Sequence, residues 1–482
     1  MFNFKLIFRI LGLLLLIEGF FILLCIPVSL IYKEGISLQL GLSGLVSILT
    51  GGLSFLLTRN ADKNLQARDG FLIVTIGWIL FCLMGTFPFV FTGVIPSYTN
   101  AFFETVSGFT TTGASILDDI ESLPHSLLFW RSIIQWLGGM GIIVMSIAIF
   151  PLLGIGGIQL FDAEAPGPSV DKLHPRIKET AKRLWIIYII FTISETVLLL
   201  AGGMNLFDSV CHSFTTMATG GFSTKQLSIA CWDSPYIHYV ITFFMFLAGT
   251  NFTLSYFALH LNFKKIIQNE EFRFYLALIA GFSILISIVL YFTQYHTWEE
   301  SFRHGTFQVV SIMTTTGFAT TDYIQWVPLL HVVVLILMFV GGSAGSTAGS
   351  IKVVRILLFF KNSVVELKRL IHPSAVLPVK FNKNAVTPEI LNNVFAFISF
   401  YLLITVIGVI IISALGYDLS SSFGAVATSL GNIGPGIGVF GPAENYSHVP
   451  IFGKWFLSCL MIIGRLELFT VLILLSPGFW RK

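Results

Sequence analysis

The chain has 482 residues, of which 55% are hydrophobic and only 11% are charged, and its formal net charge is +3. Soluble domains carry roughly 25% charged residues, so this composition excludes a cytosolic enzyme, a nucleic-acid-binding module and a disordered scaffold. The net charge is also too small to indicate an anionic partner such as a nucleic acid.

Ten apolar runs approach the roughly 20 residues that a spanning helix needs, which predicts an all-α polytopic membrane protein. They lie at 6–32, 36–57, 70–93, 128–150, 184–204, 236–261, 273–293, 328–358, 392–415 and 451–475. Four shorter and less apolar segments, each ending in Thr or Gly, are too short to span, and we interpret them as re-entrant helices. They lie at 98–113, 207–220, 301–317 and 419–434.

The distribution of Lys and Arg predicts the orientation. With ten spans both termini lie on one side, and 22 of the 28 cationic residues lie near the termini or near loops 58–69, 151–183, 262–272 and 352–391. The positive-inside rule assigns that side to the cytoplasm. The opposite face carries acidic residues, including Glu104 and Glu299. We interpret most of them as ordinary loop solvation, although an acidic outer face would also concentrate cations.

The four short segments are related to one another. They end in the motifs SGFTTTG (107–113), FTTMATG (214–220), SIMTTTG (311–317) and TSLGNIG (428–434), and a glycine signature follows in the next span at 137–140, 247–250, 340–343 and 463–466. Two motifs in the same order, four times, predict a repeated helix–re-entrant loop–helix unit. The predicted organisation is two N-terminal transmembrane helices (1–69), repeat 1 (70–150), a cytoplasmic loop with repeat 2 (151–262), repeat 3 with a broken second helix (263–360), and a cytoplasmic loop with repeat 4 (361–482).

Four pseudo-symmetric re-entrant loops around one axis predict a cation pore. Their hydroxyl and carbonyl oxygens can replace the hydration shell of an ion, and glycine permits the backbone angles that turn carbonyls inward. The four terminal motifs at 107–113, 214–220, 311–317 and 428–434 contain no carboxylate, which favours a large monovalent ion over a divalent one. The alternative is that Thr-Gly only caps the helices. The predicted filter residues are Thr111, Thr112, Gly113, Thr219, Gly220, Thr315, Thr316, Gly317, Asn432, Ile433 and Gly434.

The chain resembles, over essentially its whole length, the Trk/Ktr/HKT superfamily of potassium transporters. The matching motifs are TTTGA (110–114), ATGGFST (218–224), MTTTGF (313–318), GGSAGSTAGSIK (341–352), GNIGPG (431–436) and IGRLE (463–467). The two additional N-terminal helices favour a bacterial potassium-uptake branch over the shorter Ktr and plant-type relatives. The fourth loop departs from Thr-x-Gly at Asn432 and Ile433, so the ring does not consist of four identical donors.

This resemblance implies potassium uptake through a gated, K⁺-selective pore in the bacterial inner membrane, with both termini cytoplasmic. It implies K⁺ as the transported ion at the filter residues, without an organic cofactor. It further implies a homodimer in the lipid bilayer, with one pore per subunit, and a cytoplasmic TrkA-like regulator of the RCK type. Because the chain has no Gly-rich nucleotide fingerprint after a strand, any nucleotide is expected to bind that partner.

Residues 341–350 are all Thr or smaller and interrupt the apolar run 328–358. Glycine weakens a helix by roughly 1 kcal/mol relative to alanine, so we predict a break at Gly341, Gly342, Gly345 and Gly349 that places a flexible gate below the filter. The alternative is close helix packing along the stripe formed by Gly341, Gly345 and Gly349.

Arg465 is a cation within an apolar run, where an unpaired charge is costly. Aligning the repeats places it opposite Met140, Thr250 and Ser343, at a pore-facing depth. We predict an electrostatic barrier that regulates conduction. The alternative is a structural ion pair with Glu467 or Glu195.

Two other functional classes, a coupled symporter and a membrane enzyme, are alternatives to a pore. A proton- or sodium-coupled potassium symporter could use the same scaffold, with Glu18 and Glu195 either relaying protons or making helix-packing hydrogen bonds. Carriers usually contain inverted repeats, whereas repeats of two spans keep one orientation and favour a channel-like pore. A membrane enzyme is disfavoured because no nucleophile–base or metal constellation is evident.

Overall fold

The computed structural model describes residues 2–61, 67–148 and 173–481, and these residues are mostly helical. The first eleven helices are α1 (Phe4–Leu23), α2 (Cys25–Ile31), α3 (Ser37–Leu57), α4 (Ala67–Met84), α5 (Phe87–Phe91), α6 (Tyr98–Phe109), α7 (His125–Ala148), α8 (Leu173–Ala201), α9 (Leu206–Met217), α10 (Pro235–Ala248) and α11 (Phe252–Leu259). The next ten are α12 (Phe263–Gln268), α13 (Glu270–Leu290), α14 (Trp298–Met313), α15 (Pro328–Met338), α16 (Val353–Ile371), α17 (Pro388–Ala414), α18 (Leu419–Gly431), α19 (Ile451–Arg465), α20 (Phe469–Leu475) and α21 (Pro477–Trp480). An antiparallel hairpin joins β1 (Lys380–Phe381) to β2 (Asn384–Ala385).

The expected all-α polytopic architecture is confirmed. Within the described ranges, six helices are long and apolar enough to cross a membrane: Phe4–Ile31, Ser37–Leu57, Arg68–Phe91, Thr180–Ala201, Glu270–Tyr295 and Pro388–Ala414. Two bent pairs, α10 with α11 and α19 with α20, each satisfy the same criteria as one broken span. The predicted run 128–150 begins within α7 and extends beyond the described residues, and the run 328–358 is divided between α15 and α16.

The second helix of a repeat is broken more often than the sequence suggested. Besides the break between α15 and α16, the chain turns by 111° between α10 and α11 and by 116° between α19 and α20. The Asn251 side chain accepts a hydrogen bond from the Thr253 amide (2.8 Å) and caps α11. Glu467 and Leu468 have φ values of 55° and 37°, which end the right-handed helix before α20. The sequence predicted only the break in repeat 3.

The four predicted re-entrant helices are α6, α9, α14 and α18. Each follows a residue type that commonly caps helices, namely Ser97, Asn205, Thr297 and Asp418. The Asn205 and Asp418 side chains accept hydrogen bonds from the amides of Asp208 (2.8 Å) and Ser421 (3.2 Å). Hydrogen bonds from Ser420 and Ser421 lower the pKa of Asp418, at the exposed start of α18, to about 2. This carboxylate therefore stays ionised at the positive end of the helix dipole.

Buried tyrosines link successive repeats. Tyr188 in α8 donates to the Trp136 carbonyl of the preceding repeat (3.1 Å), and Tyr275 in α13 donates to the Phe246 carbonyl (3.5 Å). Both acceptors lie three residues before a glycine of the shared signature, and those glycines leave room for the tyrosine hydroxyls. Equivalent contacts thus join repeat 1 to repeat 2 and repeat 2 to repeat 3.

The N-terminal helices α1 and α3 cross closely because glycines lie at their contact. A Cβ atom on Gly51 would lie 2.7 Å from the Gly12 carbonyl oxygen and 2.9 Å from the Leu15 Cβ atom. A Cβ atom on the adjacent Gly52 would meet only the end of the Leu16 side chain, at 3.8 Å. Small residues at such a crossing let two backbones approach within a membrane.

We predict that Gly51→Ala lowers the thermal unfolding midpoint in detergent, whereas Gly52→Ala leaves it unchanged or raises it. Overpacking costs about 1–3 kcal/mol, more than the roughly 1 kcal/mol that alanine contributes to helix propensity. The matched variants differ only in what the added methyl group meets. Equal midpoints for the two variants would contradict the importance of this crossing.

Candidate functional site

The four re-entrant helices α6, α9, α14 and α18 end at one centre, and each is followed by a left-handed residue. These residues are Thr111, Thr219, Thr315 and Asn432, with φ between 53° and 55°. Threonine rarely adopts this conformation because its side chain is branched at Cβ, so strain is held at three of the four positions. The negative ends of four helix dipoles also lie here, which favours a cation. The Thr-Gly motifs therefore do end helices, as the capping alternative predicted, but they do so around a shared centre.

The loops after these helices form a closed ring. We call residues 110–115, 218–223, 314–319 and 431–436 filter loops 1 to 4. Gly113, Gly221, Gly317 and Gly434 have φ between 75° and 100°. A Cβ atom on any of them would collide with a carbonyl oxygen of the next loop, at Gly220, Thr316, Ile433 and Thr112 respectively. Loop 1 therefore meets loop 2, loop 2 meets loop 3, loop 3 meets loop 4, and loop 4 meets loop 1.

In filter loop 2, the residue that is structurally equivalent to Gly113 lies one position later than the sequence motifs predicted. Gly221, and not Gly220, has the conformation and the contact that Gly113 has in loop 1. Gly220 instead occupies the position of Thr112, with its carbonyl beside Gly113. Adjacent glycines made these two registers indistinguishable in the sequence, and the contact between neighbouring loops separates them.

Two amide side chains hold the filter loops. Gln135 in α7 donates to the Gly220 carbonyl (2.7 Å) and accepts from the Phe222 amide (3.0 Å). Asn432 donates to the Thr112 hydroxyl (3.0 Å) and so joins loop 4 to loop 1. The departure from Thr at Asn432 thus has a structural reason. Gln135 was not among the predicted residues, although an amide within an apolar helix four residues before Gly139 was a usable signal.

The ring presents neutral oxygens. All eleven predicted filter residues lie within it, and their side chains carry no formal charge. The buried Thr111 hydroxyl has no hydrogen-bond partner among the described atoms. Over the described ranges, no group of three or more His, Cys, Asp or Glu residues could hold a metal ion. Neutral oxygens of this kind suit a weakly hydrated monovalent cation.

A non-helical segment lies against the ring on the side where the helices α9, α14 and α18 end. This intramembrane loop (339–352) separates α15 from α16, at the predicted break. Its Gly349 amide donates to the Thr315 hydroxyl (2.7 Å), and its Thr347 hydroxyl donates to the Met217 carbonyl (3.1 Å). A Cβ atom on Gly349 would collide with the Gly431 carbonyl oxygen. The loop therefore touches repeats 2, 3 and 4 where their re-entrant helices end.

The other predicted gate glycines shape this loop. The Gly341 amide donates to the Ile351 carbonyl (2.9 Å), and the Gly342 carbonyl accepts from the Val353 amide (3.0 Å). Gly345 has a φ of 72°. These contacts fold the segment back on itself, so the glycines do not form the packed helical stripe of the alternative interpretation.

Arg465 binds the intramembrane loop through backbone oxygens. Its guanidinium donates to the Thr347 carbonyl (2.7 Å) and to the Gly138 carbonyl of α7 (3.1 Å). In the part of the chain that the structure describes, it forms no ion pair with Glu467 or Glu195, and Glu467 instead pairs with Arg355 (2.5 Å). A buried cation thus spans from repeat 1 to the loop of repeat 3, which does not support the structural ion pair considered as an alternative.

The chain is similar over nearly its whole length to known transport proteins. Residues 39–482 match the family described as TrkH, cation transport protein. The Trk system potassium uptake protein TrkH of Escherichia coli (strain K12) is 41% identical over 484 residues, covering 100% of both chains, and the TrkG protein of the same strain is 37% identical over 94% of both. The crystal structure of the potassium transporter TrkH from Vibrio parahaemolyticus superposes with a TM-score of 0.92 at 38% identity, covering 99% of this chain and 100% of that chain.

Proposed function

Because this chain belongs to the TrkH family of cation transport proteins, we propose that it mediates potassium uptake through a pore formed by filter loops 1 to 4. The family consists of transporters, so the chain is not an enzyme. The observation that carries the proposal is the closed ring, in which each filter glycine abuts a carbonyl of the next loop. The names of the relatives, potassium uptake proteins, support K⁺ as the cargo.

Selection of K⁺ in this proposal depends on neutral oxygens and helix dipoles. An entering ion exchanges its water for carbonyl and hydroxyl oxygens of the four loops. The C-terminal ends of α6, α9, α14 and α18 add partial negative charge without a carboxylate. Since Asn432 and Ile433 replace Thr in loop 4, the four donors are unequal.

We propose that the intramembrane loop is the gate and that Arg465 holds this gate closed. The loop contacts three re-entrant helices at the inner end of the ring, where it would block an ion leaving the filter. The two hydrogen bonds of Arg465 hold the loop in that position and place a positive charge beside the path. Opening would require the loop to exchange these bonds for others.

The proposed setting is the bacterial inner membrane with both termini in the cytoplasm. Arg9 donates to the Arg59 carbonyl (2.6 Å) and Arg68 donates to the Arg481 carbonyl (2.9 Å), so these four arginines share one cationic face. Such a face marks the cytoplasmic side.

We further propose a homodimer and a TrkA-like, nucleotide-binding RCK regulator that docks on the cytoplasmic side. The helix α16, which extends directly from the gate, supports both proposals. Its exposed apolar residues suit a subunit contact, and its basic residues suit an acidic surface of the regulator. The apolar residues are Phe360, Val364, Leu367, Leu370 and Ile371, and the basic ones include Lys368 and Arg369.

A coupled potassium symporter is the second candidate. The observation that favours it is Glu18, which is fully buried in α1 and whose carboxylate oxygens accept no hydrogen bond from the described residues. Its carboxylate lies beside the position that a Cβ atom of Gly85 would occupy, 3.0 Å away, close to the end of α6. A carboxyl group in such surroundings can take up and release a proton.

Rubidium flux into proteoliposomes separates the two candidates. A pore predicts influx that follows the rubidium gradient and the membrane potential and is indifferent to an imposed pH gradient. A proton-coupled carrier predicts influx that a pH gradient of either sign changes, and that Glu18→Gln makes insensitive to it. Vesicles that take up no rubidium at all under any gradient would contradict both.

Filter loop 1 is tested by Gly113→Ser. The side chain would collide with the Gly220 carbonyl, so the ring should open and discrimination of K⁺ from Na⁺ should fall by about tenfold or more. Gly93→Ser is the matched control, because Gly93 has a similar φ of 74° but nothing within 4 Å of its Cβ position. Retained selectivity in Gly113→Ser, measured as the ratio of K⁺ to Na⁺ flux, would refute the filter assignment.

The restraint of the gate by Arg465 is tested by Arg465→Ala. Losing the hydrogen bond to the Thr347 carbonyl, worth about 1.5–3 kcal/mol for a charged donor, should free the intramembrane loop and raise K⁺ flux without the regulator by about tenfold or more. Arg9→Ala also removes an arginine bound to a carbonyl, but at the exposed cytoplasmic face, and should leave flux unchanged. Equal flux in both variants and the parent protein would show that Arg465 does not restrain the gate.

A further inference from the structure

A buried ion pair lies behind the outer end of the filter. Its members are Glu104, which the sequence places among the acidic residues of the predicted outer face, and Arg131, which lies outside the predicted cytoplasmic loops. The structure places them together: Arg131 Nε is 2.9 Å from Glu104 Oε1, and the two side chains are 1% and 0% exposed. Neither group solvates a loop or faces the outer solution, so their role differs from the one that composition suggested.

Glu104 holds filter loop 1 from behind. It lies in α6, and its carboxylate accepts hydrogen bonds from the Ser115 hydroxyl (3.0 Å) and from the Ile116 amide (2.9 Å). Ser115 is two residues beyond Gly113, and its carbonyl accepts a hydrogen bond from the Tyr446 amide (2.8 Å). The position of this carboxylate therefore fixes where the outer end of loop 1 runs.

Arg131 extends the same network to filter loop 2. Its Nη1 atom donates to the Ser223 carbonyl (3.1 Å), and its guanidinium carbon lies 4.1 Å from the centre of the Phe222 ring. Phe222 and Ser223 directly follow Gly221. A single planar group thus bonds Glu104, behind loop 1, and the backbone of loop 2, which the fixed geometry of a guanidinium makes possible.

The other repeats do not reproduce this charge pair. Nine residues before the filter glycine, the four repeats carry Glu104, His212, Gln308 and Ala425. Two residues after that glycine they carry Ser115, Ser223, Ala319 and Gly436. His212 bonds the Ser223 hydroxyl (2.9 Å) as Glu104 bonds Ser115, whereas Ala319 and Gly436 offer no hydroxyl. Loops 1 and 2 are therefore held by side chains that loops 3 and 4 lack at the same positions.

We propose that Arg131 and Glu104 are positioning residues that set the discrimination of K⁺ from Na⁺, by fixing the spacing between the outer ends of filter loops 1 and 2. A buried ion pair rarely adds net stability over an apolar pair, and breaking it leaves an unpaired charge. Its benefit here is geometric, since the supporting groups behind a site decide how accurately its ligands are held. The inference rests on the proposed filter function.

The test is Glu104→Gln in the full-length protein, reconstituted in proteoliposomes. The amide cannot accept all the hydrogen bonds of the carboxylate, and the Arg131 charge is left unpaired behind the ring. We expect the ratio of K⁺ to Na⁺ flux to fall about tenfold, equivalent to ~1.4 kcal/mol, while K⁺ flux persists. An unchanged ratio would overturn the inference.

The control is Glu299→Gln, which makes the same substitution in another Glu–Arg pair. Glu299 lies 2.9 Å from Arg303, with 53% of its side chain exposed, and it contacts no filter loop among the described residues. Its flux ratio should equal that of the parent protein. A purely structural role for Glu104 would lower the thermal unfolding midpoint and leave the flux ratio unchanged, which also contradicts the proposal.

Arg131→Lys keeps the test decisive if Glu104→Gln does not fold. Lysine retains the charge beside Glu104 but cannot reach the Ser223 carbonyl with a second planar donor, so the flux ratio should fall in the same direction. A lysine variant with the parent ratio would refute the positioning role. Failure of the parent protein to favour K⁺ over Na⁺ would instead refute the proposed function, so the two failures are distinguishable.

Discussion

The whole structure depends on the contact between each filter glycine and a carbonyl of the next loop. Backbone that leaves a helix inside a membrane must find partners in the protein, because lipid supplies none. Here four such segments solve the problem together, since Gly113, Gly221, Gly317 and Gly434 let neighbouring loops approach without a Cβ atom between them. Four separate loops thereby become one ring, and the re-entrant helices, the tyrosine links and the broken second helices are arranged around it.

The repeats share this geometry but have diverged in how they hold it. Loop 1 has a carboxylate behind it, loop 2 has a histidine and Gln135, and loop 4 uses its own Asn432 to reach loop 1. Loop 3 is the one whose threonine hydroxyl accepts a hydrogen bond from Gly349 of the intramembrane loop. Four identical chains would have to support each loop with the same side chains, whereas four repeats within one chain can support each loop differently.

The proposed gate and filter are in direct contact. The intramembrane loop is bound to Thr315 on one side and to Arg465 on another, so a change in the loop acts on groups that belong to the ring. The helix α16 continues from this loop into a basic, apolar-faced segment. A movement of α16, for example on binding of a partner, would therefore act directly on the adjoining intramembrane loop and on the proposed filter.

Much of this followed from the sequence by itself. Low charge and long apolar runs determined the membrane class, the repeated Thr-Gly motifs determined four related units, and residues 341–350 marked the break, because these are properties of neighbouring residues along the chain. The tertiary structure alone decided that Gly221 is the ring glycine of repeat 2, that Gln135 supports Gly220, and that Arg465 binds backbone rather than Glu467. It also showed that Glu104, predicted at the outer surface, is buried and paired with Arg131. Each of these contacts joins residues from different repeats or helices, so packing decides them and local pattern does not.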